Sequence, residues 1–151
     1  MKIKLYFFGK SREITEREKE LAKRIGFRVK MEIIDISQAG ITDVAKAKKE
    51  ESAKFLKKID DKAFVIAFDE HGKHFDSVEF SKNLQKNLEN HGEVIFVIGG
   101  AHGLGAEILS RANQKMSFGK MVWTRNLVRH MALEQIYRAL EIAGGSNFHK
   151  V

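Results

Sequence analysis

The stretch that most limits what this chain can fold into is residues 93–105, EVIFVIGGAHGLG. Residues 94–98 are an unbroken run of strand-forming apolar side chains, the composition of a strand covered on both faces. The run ends in four glycines within seven residues, Gly99, Gly100, Gly103 and Gly105. Glycine is needed where the backbone turns at positive φ or approaches a neighbour more closely than a Cβ allows. Two readings fit: a small-molecule pocket at the carboxyl end of a buried strand, where open α/β sheets bind ligands, or a glycine-rich turn into a helix. The spacing is neither G-x-G-x-x-G nor G-x-x-x-x-G-K-[ST], which argues against a dinucleotide or triphosphate held in the usual cradles.

Around this stretch, apolar strands and helical patterns alternate. Residues 2–8 are a short apolar strand closed by Gly9, and Thr15 with Glu18 forms a T-x-x-E capping box for a helix that Gly26 stops. Residues 27–36 alternate Val29, Met31 and Ile33 with Arg28, Lys30 and Glu32, the pattern of a strand near a sheet edge. A loop over residues 37–42 leads to a weakly amphipathic, lysine- and glutamate-rich helix over residues 44–59. Residues 63–68 (AFVIAF) are a second fully apolar strand, followed by a polar loop at 69–76 whose start faces the glycine loop as the other wall of a pocket. Ser77 opens a helix carrying Phe80, Leu84 and Leu88, finished before Gly92. A short helix at 106–113, a strand or strand plus loop at 115–123 (KMSFGKMVW) and a helix at 127–143 complete the chain. The last helix is apolar around more than one face, which predicts that it packs on its own sheet and also at a subunit interface. The expected fold is α/β, an open, mostly parallel sheet of about five strands, in one domain over residues 1–151.

Composition excludes several classes of function. The chain has no cysteine, so neither disulfides nor thiolate metal sites are available. No window approaches the ~18 apolar residues of a membrane span, and residues 1–10 do not resemble a signal peptide, so a cytoplasmic protein with no membrane association is expected. The formal charge is +7. The excess concentrates after residue 114, where Lys115, Lys120, Arg125, Arg129, Arg138 and Lys150 face only Glu134 and Glu141, which favours a polyanion on the C-terminal third. Asp69, Glu70, His71, His74 and Asp76 are metal-ligand types, but two histidines three apart beside Gly72 and Lys73 read as a polar turn, and no metal is expected. Ser110 and Ser117 lack any G-x-S-x-G context for a hydrolase nucleophile. The tail at 144–151 joins Phe148, His149 and Lys150 after two glycines; it is either a frayed terminus or a segment that stacks on a base and contacts phosphate.

FVIGGAHGL (96–104), MSFGKMVW (116–123), NLVRHMALEQIYRA (126–139) and NFHK (147–150), in this order, resemble the RlmH (YbeA-type) 23S rRNA pseudouridine-N3 methyltransferase family of the SPOUT class. The resemblance is dense over about the last sixty residues and looser before them, through Gly9 and the FDEHGK segment at 68–73. It implies a SPOUT-type sheet with a C-terminal trefoil knot, a homodimer, and S-adenosyl-L-methionine as methyl donor. It places Phe68, Gly100, Phe118, Gly119, Lys120, Met121, Val122 and Trp123 around the cofactor. The implied reaction is methyl transfer to N3 of a pseudouridine in a 23S rRNA hairpin loop, on the large subunit or the assembled ribosome. His149 is implied as a base or base-orienting group and Arg138 as a clamp for phosphate or developing negative charge, with Arg125, Arg129, Tyr137, Phe148 and Lys150 as RNA contacts. The alternative is an RNA- or ribosome-binding module that keeps the fold without the reaction. Departures are Thr124 and Arg125 where relatives often have Pro-His, and Phe148 where a tyrosine is usual.

Overall fold

Strand β4 (Glu93–Ile98) occupies the middle of a five-stranded sheet, the position its composition requires: Val94, Ile95, Phe96 and Val97 have no exposed surface. A computed structural model describes residues 1–150 of the chain. In chain order the other elements are β1 (Lys2–Phe8), a 3-10 turn at Ser11–Glu13, α1 (Glu16–Ile25), β2 (Lys30–Ile36), α2 (Val44–Leu56), β3 (Phe64–Lys73) and α3 (Ser77–His91). After β4 come α4 (Ala106–Arg111), β5 (Gln114–Met116) and α5 (Arg125–Ala143). The strands pair in the order β2-β1-β4-β3-β5, every neighbour parallel, with Phe96 opposite Leu5 on one side and Ile66 on the other. The alternating segment is thus an edge strand, as its pattern predicts.

Alternate side chains of the central strands feed two cores. Ile3, Leu5, Phe7, Val94 and Phe96 pack under α1, α3 and α5, while Tyr6, Phe8, Ile95 and Val97 pack against α2 and α4. The helices start where their caps dictate. Thr15 Oγ1 accepts from the Glu18 amide at 3.1 Å while Glu18 Oε2 accepts from the Thr15 amide at 3.0 Å, a reciprocal pair whose loss costs about 1 kcal/mol. Asp76 and Glu79 repeat the arrangement at the start of α3.

One expectation needs correction. The polar segment read as a loop at 69–76 is strand as far as Lys73: β3 runs past the sheet and bends across β5, so that both Phe68 and Lys73 pair with Met116. A Cβ on Gly72 would lie 2.5 Å from the Met116 backbone, so only glycine permits the crossing. Helix α5 has flanking helices on both sides within its own domain, and Ala132, Leu133, Ile136, Ala139 and Leu140 are buried with α1 and α3 for neighbours. Leu127 is exposed, with the loop that precedes it, and Met131 and Ile142 are half-buried.

Candidate functional site

Three chain segments converge at the carboxyl ends of β3, β4 and β5. At the end of β4, a Cβ on Gly99 would come within 2.6 Å of the Gly103 backbone, so the chain can fold back on itself only with glycine there. The turn closes with the Gly103 amide donating to the Gly100 carbonyl at 3.1 Å and Gly103 at φ 77°. From β3, the Phe68 ring lies 5.2 Å from that of Phe118, which follows β5. From β5, Ser117 Oγ donates 2.7 Å to the Gly119 carbonyl, and Gly119, at φ 108°, turns residues 120–124 back over the sheet edge.

These walls enclose a cavity of about 150 Å³ lined by Phe68, Gly100, Phe118, Met121, Val122 and Trp123 among others. The structure therefore brings together six of the eight residues expected around a cofactor. Gly119 instead borders a second cavity, and Lys120 lines neither. The charged rim consists of Asp69, Glu70 and Arg125. Met121 and Val122 are 73% and 85% exposed, a large apolar surface held in water on a loop. The second cavity, about 520 Å³, adjoins the first through Met116, Ser117 and Phe118 and opens between the start of α3 and Met131 of α5. The smaller one is the better ligand site despite its size, because it sits where strand ends, glycine turn and aromatic rings meet.

Two arginines at the amino end of α5 are engaged by carboxylates of their own chain. Arg125 donates to both carboxylate oxygens of Glu13, at 3.1 and 3.3 Å, and this hydrogen bonding holds the Glu13 carboxyl below its ordinary range. Arg129, expected as an RNA contact, is 0% exposed. Its guanidinium donates to Glu18 Oε2 at 3.0 and 3.1 Å, to Asn126 Oδ1 at 2.9 Å and to the Glu13 carbonyl at 2.9 Å, and lies 4.5 Å over the Phe7 ring. A cation with this set of partners ties α5 to α1 and cannot reach a phosphate. Glu13 and Glu18 carry no sign of this pairing in the sequence, because Glu13 follows Arg12 and Glu18 stands between Arg17 and Lys19, nearer charges than Arg129. Gln38 was also missed: it lies in a loop of no pattern, yet a Cβ on Gly100 would meet its Oε1 at 2.6 Å.

A second cluster forms at the other end of α5. The tail is folded back rather than frayed, with the Ser146 amide donating to the Glu141 carbonyl at 3.0 Å and Phe148 edge-on to Tyr137 at 4.8 Å. Arg138 spans the group: Nη1 is 3.1 Å from His149 Nδ1, Nη2 donates 3.0 Å to Glu134, and the guanidinium sits 4.8 Å over the Phe148 ring. Arg24 of α1 lies 5.9 Å over Tyr137, and Arg28 Nε donates 2.8 Å to Glu141, whose carboxyl is lowered by that bond and by Ser146. Expected catalytic residues Arg138 and His149 are thus together, with Tyr137 and Phe148, but not beside the cavity. Arg138 lies thirteen positions along the helix from Arg125, about 20 Å at 1.5 Å per residue. Among the described residues no group of three or more histidines and carboxylates is placed to hold a metal ion, and no helix is long and apolar enough to cross a membrane.

Comparison with known proteins adds an independent line. The family described as "Predicted SPOUT methyltransferase" matches residues 1–149. A protein of Clostridium botulinum (strain Kyoto) named "Ribosomal RNA large subunit methyltransferase H" is 39% identical over 159 aligned positions, covering 99% of this chain and 100% of that protein. Proteins of the same name from Streptococcus thermophilus and Enterococcus faecalis are 37% and 35% identical over the same coverage.

Proposed function

The chain belongs to the SPOUT methyltransferase family, and from that premise we propose that it is an rRNA large-subunit methyltransferase using S-adenosyl-L-methionine. The observation that carries the proposal is the convergence of the β3, β4 and β5 ends on one apolar, backbone-rich cavity. Its aromatic rings and exposed peptide groups suit a heterocycle. At about 150 Å³ it is smaller than the ~300–1,000 Å³ of most ligand sites, so it takes a ring with the remainder of the ligand over its mouth, and Met121 and Val122 are free to close upon it. When bound, the cofactor supplies an electrophilic methyl group on a sulfonium. Phe118, Trp123 and Val122 would cover the ring, and Gly100 and Gly103 would offer backbone groups to it.

The substrate in this reading is N3 of a pseudouridine in a 23S rRNA hairpin loop on the large subunit or ribosome, in the cytoplasm. Arg138, His149, Tyr137, Phe148 and Lys150 are the chain's candidates for receiving it. Because about 20 Å of helix separates them from the cavity of their own chain, one protomer would supply the cofactor pocket and a second the tail. The exposed apolar loop with Leu127, and the 520 Å³ cavity beside it, offer a face for that homodimer. A trefoil knot is part of the same proposal.

The test is direct: purified protein, labelled S-adenosyl-L-methionine and ribosomes from cells lacking this enzyme, with the rRNA nucleosides analysed by mass spectrometry. One methyl on the loop pseudouridine is expected. Tight ribosome binding with no transfer would mean a binding module, and a methyl on another base would overturn the substrate. Sedimentation should give a dimer at micromolar concentration.

A further inference from the structure

The contact between Arg138 Nη1 and His149 Nδ1, 3.1 Å, restricts what His149 can do. A guanidinium carries only donors, so in this pair Nδ1 must accept. Its lone pair is committed to Arg138, and the ring's proton resides on Nε2. Arg138 is itself held in place, by Glu134 at 3.0 Å and by the Phe148 ring 4.8 Å beneath it, so the arrangement is not a chance touch between two free side chains. A general base must present a free lone pair to the proton it takes. His149 has none: one nitrogen is occupied and the other bears hydrogen.

We propose that His149 acts as a hydrogen-bond donor, through Nε2–H, to a carbonyl oxygen flanking the reacting N3, and that Arg138 is the positioning residue that imposes this tautomer. The inference rests on the reading of the protein as a pseudouridine-N3 methyltransferase. The N3 proton passes to water, and the negative charge left on the ring spreads to the two flanking carbonyl oxygens, where an N–H donor stabilises it. The N3 electron pair then forms the bond to the methyl carbon while the methyl–sulfur bond breaks and its pair stays on sulfur. No proton is taken by the protein. This assigns His149 a role different from the base or base-orienting group implied by resemblance alone. Other charged groups around the cluster are Glu134 behind Arg138, Lys150 next in the tail, and Arg24 with Glu20 and Arg28 with Glu141 from the α1 side.

Two measurements on the full-length protein test it. Two-bond nitrogen–proton NMR correlations of the His149 ring should show Nε2 protonated and Nδ1 bare in the wild type, with the two tautomers mixed in Arg138→Ala. In single-turnover transfer to ribosomes, the wild-type rate should climb about tenfold per pH unit through pH 6–8 without the plateau a histidine base gives above its ordinary range. His149→Gln, whose side-chain amide can donate near the Nε2 position but cannot act as a base, should stay within about tenfold of wild type, while His149→Ala falls about 10²–10³-fold. A ring protonated on Nδ1, a plateau above the imidazole range, or a glutamine variant as slow as the alanine one each overturns the donor assignment. Wild-type protein that methylates no ribosome at any pH overturns the underlying reading instead, and the two failures are thereby distinct.

Discussion

The two ends of α5 each carry arginines, and they are put to different uses. At the amino end Arg129 is wholly enclosed, its guanidinium saturated by Glu18, Asn126, the Glu13 carbonyl and the Phe7 ring. At the carboxyl end Arg138 remains partly open to water, with a single carboxylate, a histidine and an aromatic face for company. The first arginine joins two helices to each other. The second holds a histidine of the tail in a fixed orientation at the surface. The difference teaches that a cluster of basic residues on one helix is not one basic surface: what a cation does depends on whether its hydrogen-bonding capacity is already spent.

The largest effect should come from breaking the enclosed end. Arg129→Met leaves Glu18 buried at 1% side-chain exposure without its partner. Removing one member of such a pair costs about 3–5 kcal/mol, which for a chain of this size lowers Tm on the order of 10 °C. Thermal unfolding followed by circular dichroism checks this. Adding Glu18→Leu in the same chain should recover most of the loss, since two apolar residues tolerate burial where one charge does not. If Arg129→Met melted with the wild type, the contrast between the two ends would collapse.

Arg138→Ala is the mirror experiment. Its ion pair with Glu134 is partly exposed and of the i,i+4 kind, so stability should change by less than ~1 kcal/mol. Methyl transfer should fall about three- to tenfold, less than in His149→Ala, while calorimetric affinity for S-adenosyl-L-methionine stays unchanged. Equal loss of both would place Arg138 at the cofactor and contradict the separation of the two clusters.

The fold was legible where side-chain pattern is governed by burial. The unbroken run of β4, the alternation of β2 and the Thr15–Glu18 box each read out a local physical demand, and each element lies where that demand puts it. Legibility failed where the deciding partner is remote in sequence. Residues 69–73 have loop composition because they extend beyond the sheet, and only their pairing with Met116, more than forty residues on, makes them strand. Arg129 looks like any other surface arginine until Glu18, 111 residues earlier, is placed against it. The grouping of Phe68, Phe118 and Trp123 on one cavity came from resemblance to a family, not from any periodicity.

The glycine loop beside the amino end sharpens the comparison further. An added Cβ on Gly99 strikes the Gly103 backbone at 2.6 Å, which cannot move without undoing the turn. One on Gly100 strikes the end of the Gln38 side chain, also at 2.6 Å, which can rotate away. Gly99→Ala should therefore cost about 1–3 kcal/mol and most of the cofactor affinity. Gly100→Ala should be milder in both, and nearly silent when combined with Gln38→Ala. Gly100→Val, which adds bulk toward the cavity, should still block the cofactor. Reversal of the Gly99 and Gly100 ranking in calorimetry would mean that the cavity closes through Gln38 rather than through the turn.

The smallest effect concerns pH, and it too separates the ends. Glu13 at the amino end and Glu141 at the carboxyl end are both held below the usual carboxylate value of 4.5, the first by Arg125 and the second by Arg28 and Ser146. A carboxyl lowered in the folded state stabilises the fold above its unfolded pKa, and that contribution disappears as pH falls through the folded value. Each therefore contributes fully at neutral pH and begins to lose its contribution below about 4.5. For pairs this accessible the total is less than ~1 kcal/mol. Glu13→Gln should flatten the decline in stability between pH 4.5 and 3 and free Arg125 at the rim of the cavity, changing cofactor affinity at neutral pH. Glu141→Gln should flatten the same decline but release the tail instead, slowing transfer without touching cofactor affinity. If either substitution altered both functions alike, the long helix would be transmitting between its ends rather than keeping them apart.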